Sequence, residues 1–240
     1  MALWGFAVYT ERLTTLVNRR PIKVTHTELS ISNRQRKLEI LGVLLTGAGK
    51  FVFMDLLQWR FVFITVAILG WTFYVIYQNK RIPGVMKYWG FRTDTFNEVT
   101  RMILPFGITA IVVFFLVGYF RDTINMSWHI IPVLVLYPLW GIVQQFLVIG
   151  LVAGNLHDLK ISLNKYPIIL ITAILFGLLH YLHWWLVLGT FVLALLYGFI
   201  YLKSRNVYVM GIFHGWLGGL FFYTVVGRDP FGEVFGLLVH

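Results

Sequence analysis

YPLWGIVQQFLVIG, residues 137–150, is hydrophobic enough to lie in a bilayer, yet it carries two adjacent amides, Gln144 and Gln145. An amide in hydrocarbon has donors and acceptors that only another helix or a polar cavity can satisfy. Two readings of the pair stand side by side. One is interhelical glue, in which each amide bonds a neighbouring helix and does nothing else. The other is a functional pocket: consecutive residues point about 100° apart on a helix, and Pro138 frees a backbone carbonyl one turn earlier.

Outward from this stretch the apolar run extends over Ile130–Val152, near the ~20 residues a helix needs to cross the hydrocarbon core. Comparable runs fall at Leu38–Leu57, Phe61–Tyr77, Val99–Phe120, Tyr166–Leu182, Leu186–Leu202 and Val207–Val226. The first is interrupted by Lys50 and Asp55, a pair read as a local contact at a helix end. These runs predict an all-α, polytopic membrane bundle of about seven transmembrane helices, forming one embedded domain over residues 38–240. Residues 1–37 precede it as a basic segment. There Leu3, Phe6, Ala7, Leu13, Leu16 and Val17 could form the apolar stripe of an interfacial helix beside Arg12, Arg19 and Arg20, or the stretch could be a basic tail. Ser32 with Gln35, and Thr95 with Glu98, read as capping boxes opening helices.

Composition agrees with the membrane assignment: 58% of residues are hydrophobic and 12% charged. With no cysteine there is no disulfide, thiolate ligand or cysteine nucleophile. The net charge of +10 does not point to nucleic acid, because the excess sits in loops beside apolar spans. With the N-terminus inside, sixteen Lys and Arg fall on the cytoplasmic side; only Arg60, Arg121 and Arg228 fall opposite. The positive-inside rule therefore predicts a cytoplasmic N-terminus, and the lipid bilayer is the first partner implied.

Three histidines fall at membrane depth: His180, His183 and His214. Three imidazoles with an open fourth position can hold zinc, so His180 and His214 are candidate metal ligands, with His183 the weaker third; each could equally be a packing histidine. Gly211, Gly215 and Gly219 form a small-xxx-small stripe, which packing alone explains. Asn125, Asn155 and Asn164 read as loop residues without a role. The last four spans contain no carboxylate, which argues against a proton relay or a conventional acid–base hydrolase. For the same reason a transporter is disfavoured, and a retinal-type sensor lacks a lysine in the last span.

In order and spacing these residues resemble the CPBP family: type II CAAX-prenyl endopeptidases and their bacteriocin-processing and abortive-infection relatives. That family carries Glu-Glu-x-x-x-Arg, Phe-x-x-x-His and His-x-x-x-Asn on successive helices. Here Gln144, Gln145 and Ile149 fall on the first motif, Phe176 and His180 on the second, and His214 and Gly218 on the third. The resemblance covers about Tyr137–Tyr223. It implies an intramembrane endopeptidase acting on a membrane-associated peptide or protein, and its bacterial relatives imply a bacterial plasma membrane. It also implies catalytic places for His180, His214, Gln144 and Gln145, with Phe176 and Gly218 supporting. The loss of both glutamates, the arginine and the asparagine leaves two expectations: a protease of variant mechanism, or a pseudoprotease acting as scaffold, chaperone or immunity factor. Either one requires the three motifs to meet. From the span boundaries His180 lies towards the outer end of its helix, Gln144 nearer the inner half and His214 about central. Convergence then needs tilted helices, a kink at Pro132 or Pro138, or a later start to the fifth span.

Overall fold

The structure is a computed structural model, and it describes residues 31–159 and 163–235. The interfacial helix expected within residues 1–30, and Lys160, lie outside the described residues. All regular structure among the described residues is helical. In chain order the helices are α1 Asn33–Gly49, α2 Arg60–Arg81, α3 Val85–Tyr88, α4 Phe96–Arg121, α5 Ile130–Gln145, α6 Gly154–Asp158, α7 Lys165–Leu178, α8 Trp184–Lys203, α9 Val207–Phe221 and α10 Pro230–Phe235. Wider π-type turns continue α1 over Lys50–Leu56, join α5 to α6 over Phe146–Ala153, and extend α9 over Phe222–Val226.

Five units are long and apolar enough to cross a membrane: α2, α4, the run Ile130–Asp158, α8 and Val207–Val226. The expected seven is thus five full-length spans among the described residues, with α7 shorter at 14 residues. The first run divides at Lys50, where the π-type segment carries the Lys50–Asp55 ion pair at 2.7 Å.

Local chemistry sets several helix starts. Ser32 caps α1 by accepting from the Gln35 amide at 3.1 Å. The reciprocal half of that box does not form, because the Gln35 side chain donates to Glu39. The Thr95–Glu98 box is not a box either: Thr95 makes no side-chain cap, donates instead to the Arg205 carbonyl, and Glu98 accepts from Ser204. Two asparagines read as idle have work. Asn164 caps α7 through the Tyr166 amide, and Asn155, almost wholly buried, donates to Glu39 at 2.6 Å.

At the centre of the bundle α5 packs on α9 with backbones in near contact. A Cβ at Gly211 would fall on the Ile142 backbone, and one at Gly215 would lie 2.5 Å from the Pro138 nitrogen. Gly141 returns the contact against the Gly211 carbonyl. The glycine stripe is the seam that fixes α5 and α9 in register. Around it lies a core that includes Ile149, Phe176, Tyr197 and Met210. The α2–α4 connection closes one end: Tyr201 donates to the Trp89 carbonyl at 3.0 Å. Gly90, at φ +94°, lies where a side chain would strike the backbone of Arg205 and Asn206.

Candidate active site at the α5, α7 and α9 crossing

The α5–α9 seam brings the first and third motifs together. His214, one turn beyond Gly211 and 8% exposed, bonds the Gln144 side-chain oxygen through Nε2 at 2.9 Å. An amide oxygen only accepts, so Nε2 carries the proton and His214 Nδ1 holds the lone pair. α7 adds the second motif. The fully buried ring of Phe176 lies 5.3 Å from the His214 ring and 5.0 Å from the His180 ring, centroid to centroid. One phenyl ring therefore separates the two imidazoles, and the three motifs meet.

The depth problem is solved by the shape of α7 and not by a later start. The helix begins at Lys165 and stops at Leu178, after which the chain turns through Leu179–Leu182. His180 stands in that turn, with Nδ1 donating to the Phe176 carbonyl at 2.9 Å. The bond fixes the tautomer: Nε2 is left unprotonated, the form in which an imidazole accepts a proton or ligates a metal.

The second amide behaves differently. Gln145 is fully buried, and neither its oxygen nor its nitrogen has a hydrogen-bond partner among the described residues. Both groups thus retain their full capacity to hold a polar guest, at the desolvation cost such a group carries. Immediately after it the helix widens into the π-type segment Phe146–Ala153, all of it buried, a device often found where a helix lines a site. Ile149, in the place of the family's arginine, is wholly enclosed among apolar residues, where an unpaired cation would be costly. Gly218, in the place of the asparagine, has nothing among the described residues within 4 Å of where a Cβ would stand.

A three-imidazole metal set does not form. His183 lies at the N-terminus of α8 and accepts from Arg228 at 3.2 Å, within a group where Arg228 and Arg60 also hold Glu233. Among the described residues no group of three His, Cys, Asp or Glu could hold a metal ion. His180 and His214 alone fall short of the three protein ligands of catalytic zinc.

Two acids stand outside the motifs, Asp55, read from the sequence as the local partner of Lys50 and found so, and Glu39, which sequence reasoning missed. Asp55 comes near the site from the first span: its partner Lys50 stands 5.6 Å above the ring of Tyr181, the neighbour of His180, and Phe51 meets the same ring at 5.2 Å. The second, Glu39, is 3% exposed on α1. A carboxylate at the second position of the apolar run Leu38–Leu57 was the available signal for Glu39.

A family model described as Type II CAAX prenyl endopeptidase Rce1-like matches residues 126–219, a stretch that takes in Gln144, Gln145, Phe176, His180, His214 and Gly218. The membrane-protease resemblance read from the motifs is thereby shown for that segment. No curated protein and no solved structure matches the chain.

Proposed function

We propose that this chain, type II CAAX endopeptidase-like over residues 126–219, hydrolyses a peptide bond of a membrane-associated substrate by a mechanism without a carboxylate base. The observation that carries the reading is the meeting of Gln144, His180 and His214 around Phe176. His180 Nε2, left unprotonated by the Nδ1 bond, takes the proton of water as it attacks the carbonyl carbon. Gln145 holds that water with its two free amide groups. His214 holds the Gln144 oxygen, which leaves the Gln144 amide nitrogen as a donor for the oxyanion that develops. The imidazolium then returns its proton to the leaving amine. The positive-inside pattern supports a cytoplasmic N-terminus, and the family resemblance alone is the ground for a bacterial plasma membrane.

A second reading, an inactive scaffold or immunity factor with the same pocket, is favoured by one fact. The only acid between Ile130 and Val226 is Asp158, and it is engaged by Arg205 and Tyr88 at the far end of the Ile130–Asp158 run. Cleavage of a membrane-anchored reporter in proteoliposomes separates the two. His180→Ala and His214→Ala should each abolish cleavage, while Gln144→Glu with Gln145→Glu should raise it by about 10²–10⁴-fold, the usual contribution of a general base. Cleavage that both alanine variants leave unchanged would sink the protease reading.

A further inference from the structure

Away from the protease-like centre, α1 and α2 run antiparallel and flank an open groove of about 430 Å³ at the end where α1 begins and α2 finishes. Its lining changes character with depth. Arg34 from the first turn of α1 and Arg81 from the last turn of α2 both line it, and both are exposed. Leu38 and Trp71 supply an apolar wall, and Leu38 continues on the outer surface of α1 into Leu41 and Leu45, all three exposed.

The remaining feature is a buried carboxylate. Glu39 lines the same groove and accepts from the Tyr74 hydroxyl at 2.6 Å, from Gln35 at 3.1 Å and from Asn155 at 2.6 Å. Every one of these donors is neutral, and no ion pair among the described residues includes Glu39. Buried carboxylates are ordinarily paired with a cation. One groove therefore presents the guanidinium of Arg34, that of Arg81, which also donates to the Tyr77 hydroxyl at 3.0 Å, a carboxylate without a cation, and an exposed apolar wall.

We infer that this groove is a binding site for a phospholipid carrying a primary amine, with the phosphate between Arg34 and Arg81 and the ammonium directed to Glu39. Guanidinium groups match phosphate oxygens in geometry and charge. Basic pockets between helices on the cytoplasmic side of membrane proteins take lipid headgroups in this way. The amine is what Glu39 adds, since an anionic headgroup without one would face a carboxylate and gain nothing from it. The acyl chains lie along Leu38, Leu41 and Leu45, which is why the occupant is a lipid and not a soluble phosphoester.

Native mass spectrometry of the full chain in detergent tests the assignment, with phosphatidylethanolamine, phosphatidylglycerol, phosphatidylcholine and soluble phosphoethanolamine as probes. Phosphatidylethanolamine should be retained best, and Arg34→Gln or Arg81→Gln should weaken it, and phosphatidylglycerol with it, by about five- to tenfold each. Glu39→Gln should erase the preference for phosphatidylethanolamine over phosphatidylglycerol without weakening the latter. Because Glu39 also ties α1 to Asn155 and Tyr74, the two exposed arginines provide the readout that does not depend on folding. Equal retention of the three lipids, or indifference to both arginine variants, overturns the site. Soluble phosphoethanolamine binding as tightly as the lipid overturns the assignment to a lipid.

Discussion

At the junction of α6 with the α8–α9 turn, the guanidinium of Arg205 donates to both oxygens of Asp158 at 2.9 and 2.8 Å, the Tyr88 hydroxyl donates to the same carboxylate, and Arg36 donates to that hydroxyl. At the α5, α7 and α9 crossing the polar groups are a neutral bond from His214 to Gln144, another from the Trp216 indole to the Leu134 carbonyl, the His180 imidazole bonded through Nδ1 alone, and the Gln145 amide, without a partner among the described residues. The first region pairs its buried carboxylate with a guanidinium and a hydroxyl and so holds elements together, with Arg36 Nε the one charged-group nitrogen of the cluster left unpartnered among the described residues. The second carries weak, neutral groups and leaves several of them unsatisfied, a poor arrangement for stability and a suitable one for receiving a substrate.

Stability should separate the two regions most sharply. Asp158→Ala strands a mostly buried guanidinium, which ordinarily costs about 3–5 kcal/mol. It also removes the acceptor for Tyr88, whose hydroxyl is kept protonated because burial and the Asp158 charge both push its pKa up. His180→Ala, which loses one bond to a backbone carbonyl, should cost only about 1–2 kcal/mol. Chemical unfolding in detergent micelles measures both; equal losses would erase the distinction between a structural end and a functional centre.

The seam beneath the centre gives the next effect. Gly211→Ala places a methyl group on the Ile142 backbone, so α5 and α9 must part, at about 1–3 kcal/mol of overpacking. Parting them should also lengthen the His214–Gln144 contact. Proteolysis should therefore fall further than stability does, whereas Gly218→Ala, with open space around it, should leave both unchanged. An active, fully stable Gly211→Ala protein would show that the crossing does not depend on the seam.

Much of the centre was legible in the sequence because motif spacing on a helix fixes which residues share a face. Phe176 and His180 are one turn apart, and Gly211, Gly215 and Gly219 mark where α5 must lie. What spacing cannot carry is helix length against a bilayer. Tyr166–Leu182 read as a full span, and only the stop at Leu178 brings His180 to the level of Phe176 and its neighbour His214. The charged ends were the least legible. Thr95 and Glu98 have the spacing of a capping box, but the Arg205 carbonyl and Ser204 compete for them from more than a hundred residues away. Asn155 looked like a loop residue because its partner Glu39 lies on the first helix, and no local pattern encodes that pairing.

Gln145 gives a small effect on stability and the most direct test of the comparison. A buried amide with neither group bonded to another described residue is a liability, so replacing it by an apolar residue of similar size should be neutral or stabilise the protein by about 1–2 kcal/mol. Gln145→Leu therefore separates the two readings of the pocket by cleavage. If the amide holds the attacking water, the variant is at least as stable as the parent and cleaves far more slowly, while Gln145→Glu, which keeps the acceptor and adds basicity, cleaves faster. If the amide is packing alone, Gln145→Leu is likewise at least as stable as the parent, and cleavage is unchanged. A leucine variant that is clearly less stable than the parent would mean that Gln145 is already bonded in the membrane, and the proposed water position would be lost with it.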